Sequence, residues 1–200
     1  MSKNALRSVF IALFAALICM GCFISIPVGL VPITVQNMFA LMSGVVLGSI
    51  HGAAAVGIFL LLGTLGIPVF SGAKGGIAIL SGPTGGFLIG YFVGALIAGL
   101  IAGSPKVQEK KLNAKIVGKI ILATLLAYIA NYAAGIPWFM SVMEARGATK
   151  SLHDTIKICL IPFIPGDSIK IVVTIILSLA IRPAVARYLT VNEDSDMENR

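Results

Sequence analysis

Charge is what this 200-residue chain has least of. Asp, Glu, Lys and Arg make up 12% of it, where a soluble globular domain carries about 25%. Hydrophobic residues make up 58% and the mean hydropathy is +0.99. An ordinary soluble domain is excluded, and an integral membrane protein is indicated. Acids are scarcest. There are eight, and Glu193, Asp194, Asp196 and Glu198 all lie near the C-terminus. Glu109, Glu144 and Asp154 fall in polar connectors. Asp167 alone is embedded in apolar sequence.

Other shortages narrow the chemistry. The two histidines, His51 and His153, are expected on opposite sides of the membrane. No G-x-S-x-G or H-E-x-x-H pattern accompanies them, so a membrane enzyme lacks a catalytic set. The phosphate loop G-x-x-x-x-G-K-[ST] is also missing, because the Gly118-Lys119 pair is followed by Ile120. Any ATP-driven step therefore needs another subunit. Cys19, Cys22 and Cys159 all lie on apolar segments. "CMGC" has C-x-x-C spacing but no second pair or histidine, which points to packing rather than metal or redox chemistry. Neither a metal nor a cofactor is expected. The net charge of +7 comes from Lys and Arg at the ends of apolar segments, with no basic stripe of interleaved aromatics. It speaks to topology, not to nucleic acid.

What is present is a series of six apolar segments, at roughly 5–26, 33–50, 52–67, 85–103, 114–135, and from 158–168 to about 189. Pro27 and Pro32 separate the first two. The first segment is long and followed by more membrane, so it is expected to be retained as a span rather than cleaved as a signal peptide. The expectation is an all-α integral membrane protein, a six-transmembrane-helix bundle. Residues 1–190 form one transmembrane domain and residues 191–200 an acidic cytoplasmic tail. With the N-terminus inside, ten of the fifteen basic residues lie inside. Lys74, Arg146, Lys150 and Lys157 lie outside, and Lys170 fits neither set. Both termini are thus expected in the cytoplasm, in the cell membrane.

Small residues recur at every fourth position. Gly86, Gly90, Gly94, Ala98 and Ala102 form one row and Gly44, Gly48 and Gly52 another; both are expected to serve close packing inside the bundle. For Ala12 and Ala16 in the first segment, internal packing and docking to another membrane protein stand as equal readings.

The outer connectors hold the candidate binding residues. "PVFSGAKGGIAILSGPTGG" is too rich in Gly and Pro to be a plain span. Irregular backbone at membrane depth is tolerated when buried in protein or lining a cavity, so these extracellular loops are expected to form a ligand cavity. Lys74 and Gly75 lie in the first part. Thr84 is placed as an N-cap, where free N–H groups and the helix dipole favour an anion or a carbonyl. Thr34, Gln36 and Asn37, in "VPITVQN", begin the second segment on the same side. Trp138 is either a belt residue at the lipid headgroups or a lid.

Asp167 and Lys170, in "PFIPGDSIK", are three apart and share a helix face. A charge at the centre of a span costs about 2.5–3.5 kcal/mol on insertion scales, so such groups face the interior. Pro162, Pro165 and Gly166 place Asp167 as the N-cap of the last helix. Capping accounts for Asp167 but not for Lys170, which the dipole disfavours in a first turn. The pair is read as a ligand site. An ion-coupled secondary transporter for a small organic acid, with the pair as a proton relay, is the alternative.

Four ordered motifs, "VPITVQN", "GIPVFSGAKGG", "LSGPTGGFLIGY" and "PFIPGDSIK", resemble the BioY family. These are the biotin-specific substrate-binding (S) subunits of energy-coupling-factor (ECF) transporters. The resemblance covers about residues 5–188. It implies six membrane helices and biotin binding near the extracellular face. It also implies assembly with a transmembrane coupling subunit and two cytoplasmic ATPase subunits. Biotin is then a transported ligand, not a cofactor. On the motif positions it implies ligand contacts from Thr34, Gln36, Asn37, Lys74, Gly75, Thr84, Tyr91, Asp167 and Lys170, with Trp138 beside them. It turns Ala12 and Ala16 toward docking on the coupling subunit. The turn "GSIHG" lacks the Arg that family members often carry after the second helix.

Overall fold

A computed structural model describes residues 3–26, 31–106 and 113–198. Pro27 and Glu109, named above, and Lys110, Lys111 and Arg200, three of the ten basic residues expected inside, lie outside the described residues. The chain is mainly helical. Helix α1 (Lys3–Met20) ends in a 3-10 turn, Gly21–Phe23. Two short antiparallel strands follow, β1 (Ser25–Ile26) and β2 (Ile33–Thr34), with Ser25 opposite Thr34. Then come α2 (Gln36–Leu47), α3 (Ser49–Thr64), the single turn α4 (Ile77–Leu80) and α5 (Gly85–Ala102). The C-terminal half holds α6 (Ala114–Ala145), α7 (Leu152–Cys159) and α8 (Ile164–Glu198). Four candidate membrane spans, Ala5–Phe23, Gly85–Ala102, Ala114–Ala145 and Leu152–Tyr188, meet the length and apolarity of a crossing among the described residues. Helices α2 and α3 are apolar but shorter.

Three placements differ from the sequence expectation. The fifth segment does not stop near residue 135; α6 runs through Pro137 to Ala145. Proline costs an interior helix bond, yet beyond it Phe139 and Met143 are buried with Cys159 and Phe163. That apolar burial carries the helix past the proline. The last helix begins at Ile164, so Asp167 lies in its first turn and is not the N-cap. Pro165 is the second helical residue, where its missing N–H leaves no bond unmade. α8 then continues to Glu198, through most of the stretch read as a tail.

The glycine rows lie inside the bundle. A Cβ on Gly44 would sit 2.1 Å from the Ala95 carbonyl oxygen, and one on Gly52 would sit 2.5 Å from the Gly44 Cα. Helices α2, α3 and α5 therefore touch backbone to backbone. On α5, a Cβ on Gly94 would come within 2.9 Å of the Ala127 oxygen of α6. Such contacts suit helices in lipid, where association depends on close packing rather than on the hydrophobic effect.

Arg182, one of the ten basic residues expected on the inside, is 1% exposed. Its guanidinium donates to the carbonyls of Val45, Ala102, Gly103 and Ser104. These lie at the C-terminal ends of α2 and α5, where free carbonyls and the negative end of the dipole favour a cation. α8 is thus bound to both helices at that end of the bundle.

Substituting Gly44→Val should destabilise the protein by more than the usual overpacking cost of about 1–3 kcal/mol, because the obstruction is backbone. Thermal unfolding in detergent checks this; a melting temperature equal to that of the parent would rule out the close α2–α5 contact.

Candidate functional site

At the other end of α8 four polar side chains from three helices meet. Asp167 is 5% exposed and Lys170 is 8% exposed. Lys170 Nζ lies 3.0 Å from Asp167 Oδ1, one helical turn away. The same Nζ donates to Asn37 Oδ1 of α2 at 3.1 Å. Asn37 Nδ2 in turn donates to Asp167 Oδ1 at 3.2 Å, and Asn37 Oδ1 also accepts from the Met38 backbone N–H. Tyr132 of α6 donates its hydroxyl to Asp167 Oδ2 at 2.5 Å. Both carboxylate oxygens are therefore occupied by tertiary partners.

The hydrogen-bond inventory determines what remains. The Lys170 ammonium has three N–H donors. Two go to Asn37 and Asp167, which leaves one. The Tyr132 hydroxyl has one proton. Since it goes to Asp167, the phenol oxygen is left as an acceptor. Lys170, Asn37 and Tyr132 line a narrow chamber of about 40 Å³. Asp167 stands behind them and orients all three. The charged pair is neutral as a unit, which is how two buried ions are tolerated in a low-dielectric interior.

The narrow chamber adjoins a wider one of about 300 Å³. Val31, Pro32, Thr34, Phe87 and Tyr91 line both. The walls combine apolar and aromatic side chains with polar groups that can fix a ligand's orientation, as small-molecule sites do. Asn131 of α6, 3% exposed, completes the narrow chamber beside Lys170. Lys74, Thr84, Gln36 and Arg146 line the wide one.

The candidates fall into three groups. Asp167, Lys170 and Asn37 come together as one bonded cluster, while Thr34 and Tyr91 form wall shared by the two chambers. Lys74 and Thr84 face the wide chamber. Thr84 is the N-cap of α5 by position but makes no side-chain capping bond. Gln36 borders the wide chamber, yet its amide donates to the carbonyls of Ile18 and Val69, at 3.1 and 2.7 Å. It ties α1 and the α3–α4 loop to α2. Gly75 and Trp138 are not among the lining residues. Gly75 packs against the carbonyls of Gly66 and Ile67. Trp138 Nε1 donates to Gly82 O at 2.9 Å and its side chain lies over Gly86, so it braces the loop that leads into α5. Tyr132, Asn131 and Arg146 escaped the sequence reading. The first two lie in "AYIANYAAG", where apolar helix hides them. Arg146 looked like one more topology charge.

A membrane-embedded helical bundle with a polar cluster at the end of a two-part chamber defines a small-molecule-binding membrane protein. The sequence profile of the BioY family matches residues 1–187. The chain belongs to the BioY family. It is 38% identical over 176 residues to the biotin transporter BioY of Rhizobium etli, covering 86% of this chain and 91% of that one. It is 41% identical over 170 residues to the biotin transporter BioY of Rhodobacter capsulatus, covering 82% and 86%. The match to the biotin transporter BioY of Thermotoga maritima is 51% identical over 79 residues, and spans 40% of this chain and 47% of that relative. Among solved structures, the S-component for biotin from an ECF-type ABC transporter superposes with a TM-score of 0.74 at 31% identity. The match covers 91% of this chain and 94% of that one.

Substituting Tyr132→Phe removes one hydrogen bond to a buried carboxylate, a contact worth about 1.5–3 kcal/mol. The melting temperature should fall, and an unchanged value would mean that Asp167 Oδ2 is satisfied without Tyr132.

Proposed function

We propose that this chain is the biotin-capturing subunit of an ECF-type vitamin uptake transporter, not an enzyme. The observation that carries the proposal is the cluster at the narrow chamber. Biotin's ureido head has two N–H donors and one carbonyl acceptor on a fused apolar ring. The unused Lys170 N–H matches that carbonyl. The Tyr132 oxygen, held by the Asp167 carboxylate behind it, matches an N–H group. Phe87 and Tyr91 give the ring an apolar wall. The kinship to proteins named as biotin transporters supports the same ligand. The ion-coupled alternative is not favoured: it calls for a pair that exchanges protons, whereas Asp167 and Lys170 are held as a closed, neutral set.

ATP-driven uptake would draw on a partner, since the Gly118-Lys119 pair is followed by Ile120 and makes no phosphate loop. In this proposal a transmembrane coupling subunit and two cytoplasmic ATPases supply it. The chain would cross the membrane six times, with α2 and α3 as the two short crossings and both termini in the cytoplasm. Ala12 and Ala16 support docking through α1. Both are exposed, beside the exposed Val9 and Leu13, while the opposite face of α1 buries Phe14, Ala15 and Ile18.

Purified protein should bind biotin without nucleotide. Asp167→Asn should weaken binding by about 2–5 kcal/mol, because Lys170 loses its counter-charge in a buried site. Calorimetric titration tests this, and equal affinity in the variant removes Asp167 from the site. Ala16→Trp should leave the affinity for biotin unchanged but abolish co-purification with the coupling subunit. If the complex survives, α1 is not the docking face.

A further inference from the structure

We propose that Lys74 and Arg146 form a subsite for the ligand's carboxylate, so that the protein selects the free acid over its neutral esters and amides. The proposal rests on the biotin reading above and settles which end of the ligand meets which chamber.

The charge distribution between the chambers carries it. The narrow chamber's one cation, Lys170, is already neutralised by Asp167 at 3.0 Å. A carboxylate placed there would bring a net negative charge into a buried, low-dielectric space, a penalty of several kcal/mol. The wide chamber is the opposite case. Lys74 and Arg146 line it, and among the described residues no Asp or Glu does. Among the described residues neither cation has a carboxylate partner. Two solvent-exposed cations with no carboxylate partner among the described residues thus face one chamber of about 300 Å³.

Both cations project from constrained backbone. Lys74 closes a two-way bridge with Phe70, whose N–H reaches Lys74 O at 2.8 Å while the Lys74 N–H reaches Phe70 O at 3.1 Å. Phe70 itself is buried edge-on against Phe59. Arg146 ends α6, its N–H bonded to the Val142 and Met143 carbonyls. Thr84 adds the N-terminus of α5 to the same chamber, with its positive dipole end. A ligand with a neutral hydrogen-bonding head and an anionic tail fits the two chambers in one direction only.

The full chain in detergent should be titrated with biotin and with biotin methyl ester. The parent should bind the acid about tenfold more tightly, the worth of one charged hydrogen bond reduced by solvent exposure. Arg146→Ala and Lys74→Ala should each narrow that gap, and the double variant should close it. Affinity for the ester should fall less than affinity for the acid in each variant, and unchanged thermal unfolding in detergent should report that all four proteins fold. Added salt should narrow the gap in the parent. Equal affinity for acid and ester in the parent overturns the proposal, as does a gap that survives the double variant. If neither compound binds, the biotin reading itself has failed and this subsite falls with it.

Discussion

The carboxylate of Asp167 is the constraint on which the rest of this structure depends. It sits in the first turn of α8 and is bound from α2 by Asn37, from α6 by Tyr132, and from its own helix by Lys170. In an apolar interior a lone carboxylate is prohibitively unstable, and a pair is tolerable only when its remaining valences are filled. Satisfying Asp167 therefore brings α2, α6 and α8 to one point. The same bonds aim one Lys170 proton and the Tyr132 oxygen at the narrow chamber. Structural satisfaction of the acid and presentation of the site are one event.

A second buried charge balances the first at the far end of α8. Arg182 lies fifteen residues after Asp167, about 22 Å along a helix. Backbone carbonyls at the C-terminal ends of α2 and α5 hold it. Between the two, Thr174 and Ser178 continue the same face at four-residue steps and are fully buried. α8 thus presents a polar line to the bundle and apolar residues such as Ile169, Val172 and Ile176 outward. Near-backbone contact at Gly44, Gly52 and Gly94 keeps α2, α3, α5 and α6 in register, and so maintains the spacing of the chamber walls.

Much of the site was legible before any coordinates. Asp167 and Lys170 stood out because charge is rare in this sequence. The doublet Gln36-Asn37 stood out as polar residues at a segment start, yet the two neighbours diverge. Asn37 turns to the charged cluster, while Gln36 locks α1 and the α3–α4 loop in place. Tyr132 and Asn131 were not legible, since a tyrosine or asparagine in an apolar helix carries no mark of which way it faces. Trp138 was visible too, and its indole N–H bonds the Gly82 carbonyl.

Composition and spacing alone determined that this is a membrane protein, that its helices pack through small residues, and where its one embedded acid lies. Motif order pointed to the family. These are local properties: hydropathy, i+3 and i+4 periodicity, and the backbone limits of proline and glycine. Tertiary structure alone decided that α6 passes through Pro137, that Asp167 stands behind the chamber as its organiser, and that Arg182 is buried. It also decided that Lys74 and Arg146 face the wide chamber with no carboxylate partner among the described residues. Each of these depends on which groups from distant segments meet, and burial then makes hydrogen-bond and charge satisfaction outweigh local preference.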